Sequence, residues 1–237
     1  GIPMSQGEIL RLSDLGLTAA DVSGRVTPAC EFLIESGNTA ARRARLVELI
    51  NHHTEPTYGN AGLDETLEAI RDEMRKFASS EVTPFALGWH LKNEYIPLDV
   101  ISQMSDLGVF GLTMPEEFGG SGMSYRAHLV AIEELSRASA SVGMSYGAHS
   151  NLCVNNLYLN GSDAQRRKFL PKLCSGEHIG ALAMSEPGSG SDVVGSMRCT
   201  AVQRGEVWVA NGSKMWITNG PDADVLVVYM RTDDAAK

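Results

Sequence analysis

LAMSEPGSGSD, residues 182–192, followed 24 residues after Asp192 by Trp216 of KMWITNG, residues 214–220, is the stretch that decides how this chain is read. Ala181 to Met184 is a short apolar run with no helical period, which reads as a buried strand. Ser185-Glu186-Pro187 ends it, since Pro187 lacks an N–H and pushes Glu186 toward extended backbone. In Gly188-Ser189-Gly190-Ser191, two glycines let backbone N–H groups come close to a ligand and two hydroxyls can donate to it, the composition of a loop that cradles a pyrophosphate. Downstream, Val202, Val207-Trp208-Val209 and Met215-Trp216-Ile217 are divided by Arg204-Gly205 and Asn211-Gly212, dipeptides suited to tight hairpin turns. A meander of this kind returns Trp216 and Thr218 to the strand ending at Ser185. There an indole and two hydroxyls would wall a planar ring such as isoalloxazine.

Together, LAMSEPGSGSD and KMWITNG closely resemble the signature of the acyl-CoA dehydrogenase family. The resemblance continues through SYGAHSNLCVNNLYLNG (145–161), QRRKFLPKLCSGEHIGALAMSEP (165–187) and NGPDADVLVVYMRTD (219–233), which look most like the isovaleryl-CoA branch. GIPMSQGEI (1–9), WHLKNEYIPLDVI (89–101) and LGVFGLTMPEEFGG (107–120) look more like the methylsuccinyl-CoA branch, which carries an extra N-terminal helical region; the last of the three is shared widely in the family.

The resemblance implies a fold, a cofactor and roles. The fold is α+β: an N-terminal all-α domain, then an antiparallel β-barrel domain left incomplete here, with the family's C-terminal helical bundle absent. The domain expectation is a helical extension and linker at 1–61, a helical domain at 62–177 and a middle β-domain at 178–237. FAD is the implied cofactor, held by Leu182, Ala183, Met184, Ser185, Glu186, Pro187, Gly188, Ser189, Gly190 and Ser191 together with Trp216, Ile217 and Thr218. Within that set Ser185 faces the pyrimidine side of the flavin, where many relatives carry Thr. Thr218 faces N5, Trp216 flanks the ring, and Ser191 stands at the pyrophosphate and the acyl-CoA substrate. The implied reaction is α,β-dehydrogenation of an acyl-CoA thioester, with electrons passed to electron-transfer flavoprotein. The family's base is a Glu of the C-terminal helical domain, and none of Glu177, Glu186 or Glu206 matches its motif, so no catalytic residue is assigned. Glu186 is expected to be held by local backbone N–H groups. The chain is therefore expected to be truncated at both ends and inactive alone, its parent a homo-oligomer. A non-catalytic module binding FAD or acyl-CoA is the alternative from a different class.

Composition bounds the remaining possibilities. The 237 residues are 43% hydrophobic with a formal net charge of −9, typical of a soluble globular chain and unattractive to nucleic acid or an anionic membrane. No apolar stretch reaches the ~18 residues of a membrane span. Cys30, Cys153, Cys174 and Cys199 are widely spaced with no Cys-x-x-Cys pair and read as reduced thiols. With the resemblance, this implies the bacterial cytoplasm or, in a eukaryote, the mitochondrial matrix.

Along the chain, the pattern predicts a helix over about Ala40 to Ile50 capped by Asn38 or Thr39, and a linker over 51–62. Leu63, Leu67, Ile70, Met74, Phe77 and Val82 predict an amphipathic helix ended by Thr83-Pro84. Further helices are expected over Pro97 to Gly108, from a Ser124 cap to about Ser139, and from about Val142 to Asn160. Ser162 and Gln165 match a capping box, and the switch to β falls near His178. His52-His53 is not a metal pair, since neighbouring helical residues share no face. His149 is read as a hydrogen-bonded core histidine and Glu133-Glu134 as one solvated and one interhelical charge. Met184 and Met215 are read as core packing, and the basic clusters Arg42-Arg43 with Arg45 and Arg166-Arg167-Lys168 as solvated helix faces.

Overall fold

The computed structural model describes residues 16, 18, 20–21, 27–53 and 62–233. The chain divides into two units, 1–61 and 62–237. In the first, α1 (Pro28–Ser36) opens under Thr27, whose hydroxyl accepts from the Cys30 N–H. α2 (Ala40–His52) opens under Thr39, which accepts from the Arg42 N–H and is thus the cap that is used. Helix α2 takes in the first two residues of the expected linker; residues 54–61 and GIPMSQGEI lie outside the described residues.

The second unit begins with α3 (Glu65–Phe77), where the Leu67 N–H donates to Asp64 Oδ1 at 2.9 Å and Leu67, Met74 and Phe77 are buried. The expected stop at Thr83-Pro84 does not occur. A π-helical turn over Ala78–Val82 carries the chain into α4 (Thr83–Leu91), and Pro84 falls in the first turn of that helix. There its missing N–H has no intrahelical bond to lose, and the Thr83 hydroxyl donates to Ala78 O at 3.0 Å. α5 (Leu98–Asp106) starts after Pro97, and Gly108 follows it with φ 69°. α6 (Tyr125–Ala138), α7 (Ala140–Gly147), a second π-helical run over Ala148–Asn155, α8 (Asn156–Asn160) and α9 (Asp163–Cys174) complete the helical part. Both arms of the Ser162–Gln165 capping box are present on α9. One core gathers Leu67, Met104, Phe110, Leu135 and Tyr146; a second gathers Met114, Cys153, Leu170 and Leu173. Glu134 is 3% exposed and binds Arg75 of α3 at 2.8 Å while Glu133 stays in solvent, as the ~100° turn between neighbours requires.

A small sheet part follows the helices. β1 (Gly180–Ala183) pairs in parallel with β4 (Val225–Val228), Gly180 opposite Val225. β2 (Thr200–Arg204) and β3 (Val207–Asn211) form an antiparallel hairpin turned at Gly205, φ 66°. A parallel bridge from Thr200 to Arg231 joins the end of the β4 segment to β2. The antiparallel expectation thus holds for the hairpin and fails for β1 and β4, and the described residues form two two-stranded sheets without closure. Parallel pairing needs a crossover connection, which the hairpin and the segment after it supply. Asn211-Gly212 makes no second hairpin: Gly212, φ 141°, leads into an irregular stretch, so Met215-Trp216-Ile217 are not a strand.

Gly180 seats β1 on the second π-helical run. A Cβ there would lie 2.7 Å from Cys153 Sγ and 2.9 Å from Cys153 Cβ. Gly180→Ala is expected to destabilise the chain by ~1–3 kcal/mol through overpacking. Adding Cys153→Ala should return part of the loss, since it removes Sγ and leaves the 2.9 Å approach to Cβ, and urea denaturation of the single and double variants checks it; equal losses with and without the Cys153 thiol would refute the contact.

Candidate functional site

The LAMSEPGSGSD segment is β1 followed by a tight turn. The Glu186 N–H donates to Ser189 O at 2.9 Å and the Ser189 N–H returns to Glu186 O at 3.0 Å, closing the turn around Pro187 and Gly188. Ser189 is buried and its hydroxyl donates to Asp192 O at 3.1 Å. Of the two serines, Ser191 is therefore the exposed hydroxyl. At Gly188 and Gly190 a Cβ would meet nothing within 4 Å, so this side of the turn is open to an approaching group.

Glu186 is 7% exposed and accepts from three donors: the Arg198 N–H at 2.7 Å, the Cys199 N–H at 2.9 Å and Lys214 Nζ at 2.9 Å. Burial pushes its carboxyl up, but the Arg198 N–H, the Cys199 N–H and the Lys214 ammonium outweigh burial and hold it at about 2. Backbone N–H groups do hold this carboxylate, as expected, but they are not local: they belong to Arg198 and Cys199, on the segment that leads into β2. The carboxylate's bonding partners leave it no capacity as a base near neutral pH.

The KMWITNG segment returns to the end of β1. The Met215 N–H donates to Ser185 O at 2.9 Å, which brings Trp216, Ile217 and Thr218 beside Ser185. Trp216 has φ 61° and is 86% exposed, an aromatic held in the left-handed region with its face open. Met215 is 37% exposed and Met184 half-buried, so neither is the interior packing expected of it; without a strand, Met215 has no sheet face to bury.

Trp216 and Ile217 stand between two clefts. The larger, about 620 Å³, is lined by Ile96, Leu98, Ile101, Ser141, Ser145 and Thr218, with Glu94 and Asp222 also in its wall and no Lys or Arg. The other, about 510 Å³, lies against Ala183, Met215, Leu226 and Val228. The α5 residues and the 94–96 loop enter this site without a sequence signal, because their apolar spacing fits core packing equally well. Lys214 and Asn219 were legible only as flanks of the motif.

Below the site, His149 is 2% exposed and bridges three elements. The Gly180 N–H donates to its Nδ1 at 2.9 Å, so the ring proton sits on Nε2, which donates to Leu173 O at 2.9 Å. Burial pushes its pKa down to about 4, against a smaller opposing pull from the Leu173 carbonyl. Cys153 and Cys174 are buried free thiols raised by burial to about 11, which makes them packing groups rather than nucleophiles. Among the described residues no cluster of His, Cys, Asp or Glu is arranged to hold a metal ion, and no helix is long and apolar enough to cross a membrane.

Family models for the acyl-CoA dehydrogenase N-terminal domain and the acyl-CoA dehydrogenase middle domain match residues 64–177 and 181–237. The chain belongs to the acyl-CoA dehydrogenase family. A (2S)-methylsuccinyl-CoA dehydrogenase of Cereibacter sphaeroides is 45% identical over 98% of this chain and 42% of its own length. A mitochondrial isovaleryl-CoA dehydrogenase of Oryza sativa subsp. japonica is 55% identical over 73% of this chain and 42% of its own length. The solved structure of a glutaryl-CoA dehydrogenase from Mycobacterium smegmatis in complex with FADH2 matches with a TM-score of 0.68 at 31% identity, over 73% of this chain and 44% of that one. The chain spans about two-fifths of the length of the curated relatives it matches.

Proposed function

We propose that this acyl-CoA dehydrogenase chain carries the flavin wall of an enzyme that removes the α-proton and β-hydride of a short branched acyl-CoA, with FAD as cofactor. The observation that supports it most is that the segment tied to Ser185 O through the Met215 N–H carries Trp216 and Thr218 into the wall of an open cleft, with the aromatic exposed and backbone-strained rather than buried. The site fits FAD: Gly188 and Gly190 leave the turn open on the side a pyrophosphate would approach, and Ser191 is free in solvent to donate to it. FAD supplies the hydride-accepting chemistry when bound. Ser185 and Thr218 offer hydroxyls to the ring edge and Trp216 its flank; Leu182 and Ala183 lie in the strand that leads to them, Met184 follows its end, and Ile217 backs the wall. Ser189 acts within the turn instead of on the ligand, since its hydroxyl is spent on Asp192 O.

The α-proton requires a base, and none of the three carboxylates weighed from the sequence is poised to take it. Glu186 is locked, Glu177 is paired with Lys172 at 2.6 Å in solvent, and Glu206 is exposed in the β2–β3 turn. The base, the closed β-barrel and the electron-transfer flavoprotein contact are assigned to the complete enzyme, a homo-oligomer. The domain division into an extension, a helical domain and a β-domain is part of the same reading.

An uncharged isovaleryl-like chain is favoured because Glu94 and Asp222 line the larger cleft with no cation to meet a second carboxylate. The (2S)-methylsuccinyl relative supports the other substrate, since that likeness covers the N-terminal unit as well. Incubation of the chain with FAD, desalting, and anaerobic addition of each thioester decides between them. A retained flavin band near ~450 nm that neither thioester bleaches supports a flavin wall without its base. A perturbed band with isovaleryl-CoA but not methylsuccinyl-CoA supports the uncharged substrate. No retained flavin counts against the flavin wall, and bleaching would place a working base inside this chain.

A further inference from the structure

The segment that presents Trp216 runs alongside β1 without being a strand, and its two ends are gripped by side chains. At one end Lys214 Nζ donates to Met184 O and to Glu186 Oε1, each at 2.9 Å, at the C-terminal end of β1. At the other, Asn219 Nδ2 donates to Gly180 O at 3.3 Å, the first residue of β1, and to Ser145 O of α7 at 2.9 Å. Between these grips the backbone makes one bond to the β1 segment, from the Met215 N–H to Ser185 O. Trp216 at φ 61° and Asn219 at φ 62° both sit in the left-handed region, which a regular β-ladder does not allow. The Lys214 side chain is 11% exposed, so its ammonium is committed to these acceptors rather than to water.

We infer that Lys214 and Asn219 are positioning residues that clamp the Met215–Thr218 strap against β1 and so set the shape of the ligand wall, at whose edges Asn219 and Lys214 themselves stand. The clamp rests on the reading of this wall as the flavin site. Side-chain grips replace a ladder because a ladder would alternate Trp216, Ile217 and Thr218 across the pleat, whereas the strap turns at Trp216 and leaves the indole face open. Asn suits the second grip because it tolerates positive φ while keeping an amide donor. The two grips secure one element, so their effects on the wall are coupled.

Lys214→Met, Lys214→Arg, Asn219→Gly and the Lys214→Met/Asn219→Gly pair test this in the full chain, with FAD as probe. Glycine keeps the backbone at position 219 unstrained while removing the amide. Each of Lys214→Met and Asn219→Gly is expected to weaken FAD binding ~10-fold, and Lys214→Arg to recover most of it. The pair should lose no more than ~30-fold rather than the ~100-fold of independent sites, because the strap is freed once. Far-ultraviolet dichroism should stay at parent level, since the helical part does not depend on the strap. Single-variant affinities within ~2-fold of a parent that binds FAD, or a full ~100-fold product in the pair, would overturn the clamp. If the parent retains no FAD, it is the flavin reading that fails, and backbone amide exchange still decides the clamp. Faster exchange confined to Met215–Thr218, equal in both single variants and the pair, supports it; unchanged exchange there overturns it. Should Lys214→Met fail to fold, the same exchange comparison between the parent, Lys214→Arg and Asn219→Gly distinguishes the two outcomes.

Discussion

Glu186→Ala lowers the stability of the chain by ~3 kcal/mol, seen as a fall of roughly 10 °C in melting temperature. The carboxylate is the common acceptor for the Arg198 N–H, the Cys199 N–H and Lys214 Nζ, donors just before β2 and just before the strap. Removing it leaves two backbone donors without a partner and a largely buried ammonium with Met184 O alone. That retained bond keeps the loss near the lower end for a broken buried pair. Glu186→Gln preserves one acceptor oxygen and should cost about half as much. The sign with pH follows from the direction of the shift. A carboxyl held at about 2, below its ordinary 4.5, contributes fully above 4.5 and loses its contribution as pH falls from 4.5 toward 2. The stability gap between the parent and Glu186→Gln should therefore narrow from about pH 5 to about pH 3. A melting temperature for Glu186→Ala within a degree or two of the parent would mean that the three bonds carry no net stability.

Glu186 also illustrates what was legible in the sequence. That backbone N–H groups would hold it follows from its place between a strand end and a proline turn, but the donors, Arg198 and Cys199, are not local. Lys214, 28 residues away, is a partner that no local pattern announces. The same division runs through the molecule. Caps at Thr39 and Ser162, the separation of Glu133 from Glu134, the hairpin at Gly205 and the strand over Gly180–Ala183 are all set by residues within a few positions of one another. The helix expected to end at Thr83-Pro84 continues because a π turn places the proline where its lost donor is harmless, a choice made by packing of Ala78 and Val82 in the core. Met215-Trp216-Ile217 has strand propensity and is no strand, because Lys214 and Asn219 hold it elsewhere. The parallel pairing of β1 with β4 joins residues 45 positions apart, Gly180 with Val225, and no sequence period encodes it. The motif thus pointed to the candidate cleft, while the cleft's shape came from long-range polar contacts.

The second large effect falls on His149. Its neutral ring accepts from Gly180 and donates to Leu173 O, tying the second π-helical run to the end of α9 and the first residue of β1, with the Phe110 ring centroid 4.2 Å away. Protonation would put a hydrogen on Nδ1, directly against the Gly180 N–H, so the charged form must break the contact that starts the strand. Burial lowers its pKa from 6.5 to about 4, and the folded state therefore binds the proton less readily than the unfolded chain. This contribution to stability is complete above 6.5 and lost as pH falls from 6.5 toward 4, ~3 kcal/mol in all. His149→Gln keeps a donor and an acceptor at the same place but cannot titrate. Urea midpoints for parent and variant should lie furthest apart near neutral pH and approach one another on acidification. His128, which burial also lowers, is common to both chains and cancels in the difference. Parallel loss in the two chains would show that another group sets the acid limit. Because Gly180 is also where Asn219 grips β1, breaking the His149 contact should loosen the strap before the helical cores melt, and amide exchange at Met215–Thr218 should quicken at a higher pH than exchange in α6.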